Sequence, residues 1–139
     1  MLRGYRGPRV QQTRIDIQPG VHLAVFWKDV PHGSGPGVAL IVADEEILLF
    51  DCFGKPGGHF HIHPERDLTR FEFIESTTDD QIDHAAFEIE VNAIAYIRGS
   101  LNPMVRRKAI DRDALANAAR QARELMRRLR PPRGLTPEA

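Results

Sequence analysis

The sequence predicts a single α+β domain over residues 1–139, an antiparallel meander of five or six strands followed by two helices packed on one face of the sheet. Three observations predict it. Before Thr77, apolar residues recur at every second position between breaks rich in Gly and Pro. From Thr77 onward the spacing changes to three and four. No repeat, low-complexity run or linker divides the chain, and a chain of 139 residues suits one domain that buries roughly two thirds of its unfolded surface.

The elements follow in order. Residues 1–11 read as a loose end. "TRIDIQ" places Ile15 and Ile17 on one side and stops at Pro19-Gly20. "VHLAVFWKDV" is apolar on both faces, with Val21, Leu23, Val25 and Trp27 opposite His22, Ala24, Phe26 and Lys28, which marks a central strand. "PHGSGPG" reads as a flexible loop, lacking the Lys and Ser or Thr of a phosphate-binding loop. "VALIVA" and "ILLFDCF" are two strands around an acidic turn at Asp44 and Glu45. A glycine-rich connection, Gly54 to Gly58, leads to "HFHIH", a loop and then "RFEFIES". If Phe60 and Ile62 share the buried side with Phe71 and Phe73, the pairing brings Arg70 and Glu72 onto the histidine face.

Helix then takes over. Thr77 or Thr78 can cap a helix whose first turn holds Asp79 and Asp80. Ile82, Ala86, Ile89, Ala93 and Tyr96 or Ile97 form one stripe, and Phe87, Val91 and Ile94 a second, so this helix is expected to be buried, ending near Gly99. His84 is expected to pack or to bond Asp80. Residues 100–110 are left open between a fresh helical start and a kink at Pro103. The last helix starts at the Asp111 cap, turns Leu115, Ala118, Ala122, Leu125 and Leu129 inward, and stops at Pro131-Pro132, with 131–139 a loose tail.

Composition excludes some classes. The single Cys52 forms no internal disulfide, and its apolar surroundings make it a buried thiol. No stretch of about 18 apolar residues spans a membrane, and the N-terminus lacks a signal-peptide core, so a soluble cytoplasmic protein is expected. Charge is balanced but uneven: residues 42–90 carry three bases and thirteen acids, residues 91–139 eleven bases and four acids. The outer face of the last helix holds Arg120, Arg123, Arg127 and Arg128. No aromatic residues interleave with it and no nucleic-acid motif accompanies it, so it reads as a solvated face or a contact in a homo-oligomer.

The candidate site is "GGHFHIHPE", which sets His59, His61 and His63 at alternate positions. A strand turns every second side chain to one face, so all three imidazoles are expected to share it. Neutral imidazoles and carboxylates are ligands for a divalent ion such as zinc, with His59, His61, His63 and Glu65 as the candidate set. Because a strand spreads His59 and His63 by about 13 Å, two of the three histidines plus a residue from elsewhere form the realistic cluster. Glu72, Asp51 or His84 are further candidates to complete or orient it. For hydrolytic chemistry, His61 and Glu72 are the candidate catalytic pair. The alternative is a non-enzymatic oligomerising or partner-binding module whose histidines pack sideways with wet tips. His22 and His32 read as surface residues.

"HFHIH" resembles the core of the histidine-triad nucleotide hydrolase and transferase motif, in which three histidines alternate with hydrophobic residues. That resemblance implies His61 as nucleophile toward a nucleotide α-phosphate, with His59 and His63 polarising and protonating around it. Pro64 and Glu65 stand where the motif has two more hydrophobic positions, and both long helices follow the histidines instead of preceding them. His59, His61 and Glu65 are also similar in spacing to the ligands of the first cupin motif, though the histidine of the second motif has no counterpart. Asp51 ahead of the histidines is similar in order to small bacterial toxins of the TumE type, without the Arg and Asn that accompany that Asp. No family is assigned on these short matches.

Overall fold

A computed structural model describes residues 8–132. Six strands run in meander order: β1 (Arg9–Gln18), β2 (Val21–Val30), β3 (Gly33–Val42), β4 (Glu45–Asp51), β5 (His59–Ile62) and β6 (Phe71–Glu72), every neighbouring pair antiparallel. The turns are short because their residues tolerate left-handed backbone. Gly20 turns β1 into β2 at φ 78°, and Ala43-Asp44 turn β3 into β4 at φ 49° and 66°, the paired positive values of a tight hairpin.

Helices follow the sheet: α1 (Thr78–Phe87), a π-helical turn at Glu88–Asn92, α2 (Ala93–Arg98), α3 (Pro103–Arg106) and α4 (Arg112–Arg128). The expected caps form. Thr77 Oγ1 accepts from Asp80 N at 3.1 Å and Asp111 Oδ1 from Ala114 N at 3.0 Å, each contributing about 1 kcal/mol to its helix. Asn102 caps α3, with Pro103 at the first helical position.

All helices lie on one face of the sheet, with α4 against α1 and across β1, β2 and β3. Val21, Leu23 and Val25, Val38 and Leu40, and Leu48 and Phe50 meet Ile82, Ile89, Ile97, Leu115 and Met126 there in one apolar core. The opposite face carries a smaller cluster of Ala24, Phe26, Ala39 and Leu49. Arg9 on β1 crosses it to the β4 residue Glu46 with two hydrogen bonds of 2.9 and 3.0 Å, its guanidinium 4.5 Å over the Phe26 ring.

Four details differ from the sequence expectation. Residues 9–11 belong to β1, where a bulge at Gln11 (φ 52°) turns the strand; residues 1–7 and 133–139, expected as loose ends, lie outside the described residues. Glycines 33–37 are strand, not loop. Phe87 and Val91 of the second helical stripe are exposed, because α4 covers only one side of α1. His84 packs against Phe60 and Phe73, as expected, but its hydrogen bond goes to Glu75, at 3.0 Å, and not to Asp80.

Candidate functional site

The site lies on the sheet face that no helix covers, and the register builds it. Phe26 pairs with Gly37, Gly37 with Asp51, Asp51 with His59 and His59 with Glu72, so one row of side chains crosses five strands on a common face. The row on one side has Lys28 opposite Gly35, and the row on the other runs through Ala24, Ala39, Leu49 and His61. The expected placement of Glu72 on the histidine face holds. Arg70, bonded to Glu72 at 2.8 Å, lines the same pocket.

The glycines of β3 explain how Lys28 takes part. Lys28 is on β2 and Asp51 on β4, strands that lie roughly 9.5 Å apart across the intervening β3. Side chains at positions 35 and 37 would stand between them. A Cβ on Gly37 would meet Phe26 Cε1 at 2.5 Å, and one on Gly35 would meet the Cys52 carbonyl oxygen at 2.8 Å. The glycines leave that space to the Phe26 and Phe53 rings, and beside them Lys28 Nζ reaches Asp51 Oδ2 at 3.1 Å.

That carboxylate oxygen also lies 3.4 Å from His59 Nε2. Lys28, Asp51 and His59 are all buried, at 2%, 3% and 5% exposure, so this is an ionic cluster held away from bulk water. Burial pushes the Lys28 ammonium below the usual lysine range, against the pull of Asp51. Burial likewise lowers His59, outweighing its bond to Gly57 and the attraction of Asp51. Asp51 Oδ1 is buried with no hydrogen-bond partner among the described residues.

Both imidazoles are fixed by backbone carbonyls. His59 Nδ1 donates to Gly57 O and His61 Nδ1 to Thr69 O, each at 2.9 Å. A carbonyl only accepts, so in the neutral rings Nδ1 carries the proton and Nε2 the lone pair. The rings stand edge to face with centroids 5.0 Å apart. They open on a cavity of about 270 Å³ walled by Val30, Leu49, Pro64 and Leu68, with Lys28, Asp51, His32 and Arg70 adding its polar groups. His32, expected on the surface, is exposed but stands at this rim, 5.7 Å from the His59 ring.

The four expected metal ligands separate. His59 and His61 line the cavity, but β5 ends at Ile62 and His63 takes φ 51°, which leaves the strand alternation and directs its backbone into a turn received by Arg66 and Asp67. Glu65 turns to β4, where its carboxylate accepts from Glu46 N at 2.8 Å. Glu72 is on the histidine face but largely exposed, its carboxylate held by Arg70. Among the described residues, no group of three or more His, Cys, Asp or Glu side chains stands ready to hold a metal ion. Cys52 is buried, and burial raises its thiol well above the usual range, which suits the inert role expected of it.

The sequence reading passed over Lys28, His32 and the alternate glycines at 33, 35 and 37. Their signal was present: glycine at every second position of one strand complements bulky polar residues at every second position of another. These features define an α+β protein with a polar pocket sunk into the open face of a helix-backed sheet. Comparison with protein-family models, with curated proteins and with solved structures finds no match to this chain. Among the described residues, no helix is long and apolar enough to cross a membrane.

Proposed function

We propose that the pocket is an acid–base site for a small substrate, working hydrolytically. The observation that carries this reading is the pair of Nδ1–carbonyl bonds, which aims the basic Nε2 edge of both rings away from the backbone. His61, half-buried and on the cavity wall, accepts a proton from water or a substrate hydroxyl. His59 is kept neutral by burial near pH 7 and passes protons to and from Asp51. Lys28 and Arg70 meet the negative oxygen that develops on the substrate. Glu72 acts by holding the Arg70 guanidinium, not by touching substrate.

A second reading, a divalent ion such as zinc, is favoured by the orphaned Asp51 Oδ1 and by imidazoles whose other nitrogen is bonded to a carbonyl, as in metal-ligating histidines. His59, His61 and Asp51 line the same cavity and would have to be drawn together to hold the ion, since they do not stand as a ready three-ligand group, and His63 and Glu65 take no part. A bound ion supplies a polarised water.

Hydrolysis of p-nitrophenyl acetate and bis(p-nitrophenyl) phosphate tests both, with His61→Gln as control. Turnover that survives EDTA and disappears in the variant is expected. Turnover restored only by added zinc assigns the site to the second reading. No turnover under either condition, with a change of oligomeric size in His61→Gln, overturns both in favour of a partner-binding face.

A further inference from the structure

We propose that Lys28 is a covalent nucleophile that captures a small aldehyde or ketone in this pocket as an imine. The proposal rests on the same acid–base pocket but not on hydrolysis. It starts from what a structural ion pair leaves unexplained. A buried lysine that serves only to neutralise an aspartate is costly, and the pair is often replaced without loss by apolar residues. Here the amine is on the wall of a cavity and beside a proton path: Lys28 Nζ, Asp51 Oδ2 and His59 Nε2 follow one another at 3.1 and 3.4 Å.

That order matches what imine formation needs. The ammonium gives one proton through Asp51 to His59 and becomes a free amine. Its nitrogen lone pair forms a bond to the carbonyl carbon while the C=O π pair moves to oxygen. A proton passes from that nitrogen to the oxygen, which gives a carbinolamine and restores a lone pair on nitrogen; His59 returns its proton to the hydroxyl. The C–O bond then breaks, the oxygen leaves with two hydrogens as water, and the nitrogen lone pair completes the C=N bond. An ammonium and a carbonyl compound thus become an iminium and water, with no oxidant or reductant required. The iminium is again a cation beside Asp51, so the buried carboxylate keeps a positive partner before and after the step.

The surroundings fit this role. Lys28 lines the cavity together with His59 and His61, so a carbonyl compound held there lies beside both the lysine and the imidazoles that can exchange its protons. Val30, Leu49 and Leu68 offer apolar wall to the carbon chain of the substrate.

The chain suits a direct test, because it contains only three lysines, Lys28, Lys55 and Lys108. Full-length protein is incubated at pH 7 with propanal or with pyruvate and sodium cyanoborohydride, which reduces an imine to a stable secondary amine. Peptide mass mapping then follows labelling at each lysine and at the N-terminus over time. Labelling of Lys28 several-fold faster than Lys55 and Lys108 by at least one probe is expected. Lys28 unlabelled, or labelled no faster than Lys55 and Lys108 by both probes, overturns the proposal. The comparison is internal to the natural chain, so it does not depend on a variant that folds. Ester turnover without Lys28 labelling would sink this proposal alone, and labelling without turnover would sink only the hydrolytic reading.

Discussion

The two faces of the sheet are built from alternate residues of the same strands and behave as different materials. On the helix side, Leu23, Val25, Val38, Leu40, Leu48 and Phe50 are all apolar and sealed under α1 and α4. On the open side, Phe26, Ala39 and Leu49 are just as buried, yet two positions along the same strands stand Lys28 and Asp51. No helix covers them. Burial there comes from the sheet itself, from the Arg9 strap across Phe26 and from the turn after β5. A face closed by helices has room only for shape. A face closed by its own strands and loops leaves a mouth, and polar groups buried beside a mouth can meet a ligand.

The largest expected effect lies on the helix side. Phe50 stacks on Phe60 at 5.3 Å and approaches Phe73 at 6.4 Å, so Phe50→Ala leaves an aromatic cavity and costs about 3–5 kcal/mol. Urea unfolding with unchanged slope checks it, and a loss below about 1 kcal/mol would remove the distinction between the faces.

On the open side, Asp51→Asn leaves a buried ammonium without its counter-charge and costs about 3 kcal/mol by the same assay. The double change Lys28→Met with Asp51→Leu is expected to recover the lost stability while leaving the pocket inactive. If the double variant stays as unstable as Asp51→Asn, the ion pair is a structural requirement of the sheet and not a feature kept for chemistry.

Gly37→Ala is smaller, about 2 kcal/mol. Its Cβ at 2.5 Å from Phe26 Cε1 and 2.8 Å from the Phe50 carbonyl oxygen forces the ring or the strand to move. Thermal unfolding measures the stability, and ester turnover should fall with it because Lys28 loses its path to Asp51.

The pH dependence is smaller still. Burial lowers the folded-state pKa of His59, so between that value and about 6.5 the unfolded chain binds more protons and stability rises with pH. His59→Asn should flatten the rise in unfolding midpoint as pH climbs toward 6.5; an unchanged slope would mean that the ring is solvated.

Much of this fold could be read before any coordinates. The strand alternation, the turn signals at Pro19-Gly20 and Asp44, and the caps Thr77 and Asp111 are local, and local chemistry decided them. The pairing of His59 with Glu72 was also within reach, because Phe60 and Phe71 had to share a side. What was not legible depended on distant strands. Glycines 33, 35 and 37 look like a loop when read alone, and only the fold shows that Phe26, Cys52 and Phe53 close on them and need the space a side chain would take. Lys28 was placed on one face of a central strand and given no role, because nothing near it in sequence announces Asp51. His63 was assigned to the histidine row by periodicity, but the strand stops one residue earlier and a left-handed residue turns the chain away.

The central claim is that His59 and His61 present their Nε2 lone pairs toward one pocket with Asp51 and Lys28. Long-range proton–nitrogen correlation spectra of uniformly labelled protein at neutral pH report the tautomer of each ring directly. In both rings Nδ1 should carry a proton, His59 should be neutral, and both Nε2 signals should shift when a pocket ligand or zinc is added. Nε2-protonated rings, or signals indifferent to every addition, would contradict the account.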